Sequence, residues 1–454
     1  MRERLSNRLL PMAAVGALLL TGALPPRHAG ELHLPSPAPV SSLSVLEADH
    51  PFEASLAAAT TDGLYRFDDR GRPRPLLAIG RPEREGLVAR FELMETGRHR
   101  GARLAPRSVV ASLRRAALHP RTSWLFANVR RQDGEPLIDN PEDRIITIES
   151  SRPAELRFVL ATLPAAIQGG GDRRRAPIGT GPFQARLSAS GEVDLRAFTA
   201  APRGAPYLRR IRISPPAPRR TALQDYELGN IDGSWFGESL YGGQPVRPST
   251  TTLLPARAPV LLLRSRRVSD GTFGRVAQAI DRRRLRRTGV EGSDTLRPGL
   301  PPPRDSSPAG APRPLRMLVC TGDAFEARVA EALAGLLDEA GIALTVVELP
   351  PDRYRRAIDR GEHDLRLVQL VVPASSPGAV VGAALVAAGQ PDRAEALVRE
   401  GLLRSDRVGS YAEELDAVVL GRRRPALSHR ADLGPLAFDA FGRILLDDLF
   451  LRRP

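Results

Sequence analysis

The residues able to do chemistry are few. The seven histidines stand at 28, 33, 50, 99, 119, 363 and 429. None pairs at metal-ligand spacing, and no His-Glu-x-x-His sequence occurs. The single cysteine, Cys320, excludes an internal disulfide framework and a Cys-based zinc site, and argues against a thiolate-held iron–sulfur cluster. It sits in the apolar run Leu315–Cys320 and reads as a buried, inert thiol. Gly233-Ser-Trp-Phe-Gly237 comes nearest to a hydrolase elbow, but its serine directly follows the first glycine. Asp447 and Asp448 are adjacent, so on a helix they point apart and do not share a proton. Gly179-Thr-Gly-Pro-Phe183 lacks the third glycine of a dinucleotide fingerprint, and Pro182 lacks the N–H that a phosphate cradle needs. The runs Arg173–Arg175, Arg282–Arg284 and Arg422–Arg424 read as solvated turn or helix faces rather than phosphate grips. The sequence therefore predicts a protein that is not an enzyme and carries no metal and no cofactor.

The rest of the chain must be a scaffold for binding. It has 454 residues, 42% hydrophobic and 26% charged, enough for a core and for two or three domains. The formal charge of +14 comes with arginine as the only basic residue besides histidine. The arginines are scattered, which reads as a compositional bias over the surface and not as a nucleic-acid stripe. Residues 1–30 have the layout of an export signal: Arg2, Arg4 and Arg8, then the apolar Met12–Leu20, then small residues and Pro25-Pro26. No cysteine is present there for a lipid anchor. The expected location is the periplasm or the cell exterior.

After a linker over 31–42, period-2 and period-3.6 patterns alternate. Val88–Leu93 and Leu208–Ile213 read as half-buried strands, and Asp143–Glu149 with Leu156–Leu160 as a strand pair. Pro106 opens a helix with the stripe Val109, Val110, Leu113, Ala116 and Ala117. Thr221–Leu228 is a helix stopped by Gly229. Proline-rich crossings fall at 242–258 and 298–314. The clearest pattern is strand 315–320, a helix capped by Asp323 with Glu326, strand 342–347, a second helix, and strand 365–371. That order predicts a mostly parallel sheet with a crevice beyond its strand ends.

Several segments, in order, resemble the bacterial extracellular solute-binding proteins of family 5, the peptide, oligopeptide and nickel receptors of ABC importers. Thr61-Asp-Gly-Leu-Tyr-Arg-Phe-Asp68 with Pro73–Ala78 is similar to the family's opening motif. Phe91–Gly97, Gly101, Leu104 and Val109–Ala116 resemble its next stretch. Ile178–Phe183 is similar to its Gly-Thr-Gly-Pro-aromatic signature, and Arg275-Val-Ala-Gln-Ala-Ile-Asp-Arg282 to its Ala-Ile-Asp-Arg helix. The resemblance implies an α/β, two-lobed periplasmic binding protein-like clamp (type II, cluster C-like) with mixed sheets and a hinge. Lobe 1 would span 43–254, with an inserted subdomain at about 80–170. Lobe 2 would span 255–428, and 429–454 would return to lobe 1. Implied partners are a small solute, a peptide among the options, and ABC permease subunits, with the protein a monomer. The alternative is a secreted, degenerate binding fold with an interaction or regulatory role.

The chain departs from the family at named places. Ala105 replaces a frequent threonine helix cap. Val371-Val-Pro-Ala-Ser-Ser-Pro377 stands where many peptide receptors carry asp-x-pro-asp-pro, whose carboxylate holds the peptide amino terminus. The residues expected at the ligand are Tyr65, Trp235, Phe236, Arg264, Ser375 and Ser376. Gly179, Thr180, Gly181, Pro182 and Phe183 are expected to form a structural turn in which glycine permits unusual backbone angles.

Overall fold

A computed structural model describes residues 30–169, 177–235, 249–255, 258–291, 313–413 and 415–452. The export signal (apart from Gly30), Arg173–Arg175, Phe236 and most of both proline-rich crossings lie outside the described residues.

The first lobe is built on a four-stranded sheet in the order Glu31–Pro35, Arg210–Ser214, Val193–Ala197, Phe183–Leu187. The first pair is parallel, with Leu32 opposite Ile211 and Leu34 opposite Ile213; the others are antiparallel. Residues 31–42 are therefore not a linker. Leu32 and Leu34 alternate with polar neighbours and are buried, as are Ser36, Ala38, Val40 and Ser42. The prolines after Leu34 masked a strand whose alternation is only two apolar residues long. The tail supplies Leu433, Ile444, Leu446 and Leu449 to the core that also holds Leu32, Phe183 and Ile211.

A second unit carries the antiparallel sheet Glu83–Glu85, Val88–Glu92, Ile145–Glu149, Ile138–Glu142 and the helix Pro106–Leu118. The helix buries the five apolar residues that its stripe predicts. Leu156–Val159, expected as a strand, is instead a helical turn, with the Leu160 N–H donating to Leu156 at 2.8 Å. Pro153 opens a 3-10 turn just before it. Leu156, Phe158, Val159 and Leu160 are all buried, so burial could not distinguish the two periods in so short a run.

The other lobe is a six-stranded mixed sheet, in the order Val290–Glu291, Ala417–Arg423, Pro259–Arg264, Leu365–Gln369, Leu315–Cys320, Leu344–Leu349. Leu315–Cys320 runs parallel to both of its neighbours, as the strand–helix–strand pattern requires. Pro259–Arg264 pairs antiparallel on both sides. The helix Ala324–Glu339 covers the sheet with Val329, Leu333 and Leu337. Asp323 caps it, accepting from the backbone N–H groups of Phe325 and Glu326 at 3.0 and 2.9 Å. Among the described residues no helix is long and apolar enough to cross a membrane.

Candidate functional site: a cleft between the lobes

The glycine-rich turn packs against the end of the helix Pro51–Thr60. A Cβ on Gly179 would lie 2.0 Å from the Thr60 carbonyl oxygen, and one on Gly181 2.5 Å from the Thr60 carbonyl carbon. Neither glycine has a positive φ. The glycines are needed for close backbone approach, not for unusual angles. His99 closes the turn: its Nδ1 accepts from the Gly179 N–H at 3.3 Å, and its Nε2 lies 2.8 Å from the Gly181 carbonyl. Burial holds this imidazole below its usual range. Thr180 donates to Asp62 at 3.0 Å, and Asp62 pairs with Arg203 at 2.8 Å. Phe183 is fully buried. Pro182 stands beside it as the carbonyl acceptor for the Phe198 N–H.

The residues expected at the ligand scatter. Tyr65 is buried edge-on to Phe91, and its hydroxyl donates to Gly80 at 2.9 Å. Arg264 is held by Asp416 and Asp270 and lies over Phe273, so its charge is spent inside the second lobe. Ser376 donates to the Leu403 carbonyl at 2.7 Å, and Ser375 is exposed near Gly71. Trp235 donates to the Pro35 carbonyl at 2.7 Å and meets Phe52 edge-on. It borders a small cavity of about 60 Å³ with Pro37, Leu254 and Ile444, which meets the main cleft at His50. Tyr65 and Arg264 thus serve packing and intralobe pairing.

The main cleft has two joined parts, of about 190 and about 90 Å³. Asp49, Arg121, Arg366, Val368 and Gln369 line both. The first lobe contributes the stretch from Val45 to Glu53, and the second unit contributes Arg121, Trp124 and Leu163. The floor is the carboxyl end of two parallel strands, at Cys320 and Gln369, where α/β sheets open a crevice. One part is mostly apolar, with Trp124, Leu125, Leu370, Val372 and Val386 on its walls.

The other part is polar and buried. Asp323 also accepts from Gln369 Nε2 at 3.1 Å, and Arg423 donates to Gln369 Oε1. Arg423 stacks 4.6 Å over Phe325 and stands 3.1 Å from His50 Nε2. His50 in turn caps the helix Pro51–Thr60, its Nδ1 accepting from Phe52 at 3.1 Å. A polar chain thus runs from a helix cap in one lobe to a helix cap in the other. Burial, with Arg423 beside it, pushes His50 down to about 3. Its 3.9 Å approach to Asp323 is therefore not an ion pair near neutral pH. Burial and the neighbouring Asp323 raise Glu326 to about 8, so it is protonated at neutral pH. Burial also lifts Asp323, and it pushes the Cys320 thiol up to about 12. That thiol is half-buried and unreactive at neutral pH.

The sequence reading placed Asp323 correctly as a cap but missed that the cap faces a cleft. It took Arg422–Arg424 for a solvated face, yet Arg423 lies inside the polar chain, while Arg424 pairs with Glu291 at 2.8 Å. Trp124, Arg121 and Arg366 carried no motif. The usable signal was positional: Arg366 is a charge within the apolar strand Leu365–Gln369. Among the described residues no cluster of three His, Cys, Asp or Glu is placed to hold a metal.

Solved structures share this architecture. The oligopeptide-binding protein AppA from Bacillus subtilis, in complex with a nonapeptide, superposes with a TM-score of 0.72 at 13% identity, over 94% of this chain and 100% of that one. NikA from Staphylococcus aureus, in complex with Ni(L-His)2, gives 0.72 at 13% identity, over 93% and 100%. The binding protein AgaA from A. tumefaciens R10, in complex with agropinic acid, gives 0.69 at 15% identity, over 94% and 99%. The fold is thus that of the periplasmic solute-binding proteins, two lobes of mixed α/β structure. No family model matches the sequence, and no curated protein matches it.

Proposed function

We propose that this chain is the solute-receptor component of an ABC importer. It leaves the cytoplasm on its N-terminal signal, captures a small solute by closing two lobes, and presents the closed form to membrane permease subunits. It acts as a monomer and performs no reaction on its guest. In this reading the first lobe covers 43–254, extended back to Glu31 by the edge strand, with the tail 429–454. The second lobe covers 255–428.

The observation that carries the reading is the cleft itself. Its walls come from both lobes, so a guest bound there gains contacts only when the lobes are together, and binding shifts the clamp towards closure. The neighbours named above bind a nonapeptide, a nickel–histidine complex and an opine, so the shared fold accommodates diverse small guests.

The test is mass spectrometry of small molecules released when the purified full chain is denatured. One recurrent solute, bound at close to one per chain and quenching tryptophan emission on return to stripped protein, is the expected result. No released solute, and no emission change across peptide and solute libraries, would instead favour the secreted interaction protein.

A further inference from the structure

We propose that the cleft takes a small apolar carboxylic acid, its carboxylate on the guanidinium of Arg366 and its hydrocarbon body along Trp124, Leu125, Leu370 and Val386. This rests on the receptor reading and names the class of guest. Arg366 lines both parts of the cleft, at the border between the polar and the apolar end. It bonds to the Tyr354 hydroxyl, but its Nε is buried and has no hydrogen-bond partner among the described residues. A buried guanidinium N–H left unmatched is costly, and a carboxylate supplies the charge-assisted bond it lacks.

The protein's own carboxylates do not meet that need. Asp49 is paired with Arg121 and acts on Arg366 through its charge, without a hydrogen bond to the Arg366 Nε. Glu53 accepts from the Ser41 N–H and hydroxyl, both at 2.8 Å, and from the Asp49 N–H at 3.1 Å. Asp323 is occupied by two backbone N–H groups and Gln369. Glu326 is protonated near neutrality.

The remaining walls select the body of the guest. Val371, Val372 and Pro373 line the apolar part and offer no carboxylate to an ammonium group. The one carboxylate on that part, Asp49, is already paired with Arg121, so a peptide or amino acid would bury its charged amine there without a free counter-ion. The volume of about 190 Å³ lies below the roughly 300–1,000 Å³ usual for drug-sized ligands, which favours a short acyl or single-ring acid.

Calorimetry on the full chain, stripped by unfolding and refolding, tests this with hexanoate, 3-phenylpropionate, hexanamide, hexylamine and a dipeptide mixture. Both acids should bind, and hexanamide should bind at least about tenfold more weakly. Arg366→Gln should abolish the preference of acid over amide. The wild-type comparison of acid with amide decides the matter even if that variant does not fold. Failure of both acids to bind, equal affinity for hexanamide, or tightest binding by hexylamine overturns the proposal. Should the dipeptides bind where the acids do not, the receptor reading survives and the guest assignment fails. If no probe binds, the assignment fails, and the receptor reading is judged by the solute released on denaturation.

Discussion

Burial in the cleft has a measurable consequence at single residues. Glu326 binds its proton more tightly in the folded protein, with a pKa of about 8, than in an unfolded chain, where an ordinary glutamate value near 4.5 applies. The stabilisation from that proton is complete below the unfolded value and is lost as the pH rises through the folded one. His50 has the opposite sense. Its folded pKa of about 3 lies below the ordinary 6.5, so stability is lost as the pH falls below that value. Above pH 6.5 and up to about 8, His50 is mostly neutral in both states, and comparison with Glu326→Gln isolates the Glu326 proton. Stability of the natural chain should fall across that window relative to Glu326→Gln, by about 2 kcal/mol at most. Urea melts of both proteins at several pH values check this; parallel profiles would refute it. Site residues were poorly legible beforehand for a related reason. Tyr65 and Arg264 have side chains suited to holding ligands, but hydrogen bonds and ion pairs within their own lobe occupy them. Arg366, Arg423 and Trp124 acquire their places only through tertiary packing, which no spacing rule encodes.

At the scale of elements, the helix Pro106–Leu118 begins without a side-chain cap. Ala105 has extended backbone angles of −84° and 139°, suited to a capping residue, but no side-chain oxygen to accept the free N–H groups. Ala105→Ser should stabilise the protein by about 0.5–2 kcal/mol, read as a rise in thermal midpoint, and an unchanged or lower midpoint would contradict it. Elements with long, regular patterns were legible from the sequence. The 315–320 strand and the helix after it follow period and cap signals that burial then reinforces. Short elements were not. Glu31–Pro35 shows two cycles of alternation beside a run of prolines, and Leu156–Val159 is one turn long. In both, tertiary contacts chose a conformation that the local sequence left open.

Across the whole molecule, the largest apolar core does not belong to one lobe. Trp124, Phe126 and Phe158 from the second unit share it with Ala383, Leu397, Val398 and Leu403 from the six-stranded side. Gly382 lets the Trp124 ring approach so closely that a Cβ there would lie 2.3 Å from it. Asn128 donates to the Val398 carbonyl at 3.0 Å, and Arg152 to the Arg399 carbonyl at 3.1 Å. In the proposed clamp, opening the cleft uncovers part of this contact, so the closed form would have support of its own before any guest adds to it. The stripped protein should therefore populate both forms. Pulsed electron-spin distance measurement between labels at the exposed positions Glu85→Cys in the second unit and Arg353→Cys in the six-stranded lobe, in a Cys320→Ser chain, reads this directly. Two distances in the stripped protein, merging into the shorter one when the released solute is returned, is the predicted result. One distance that does not change with solute would contradict a clamp that closes on its guest.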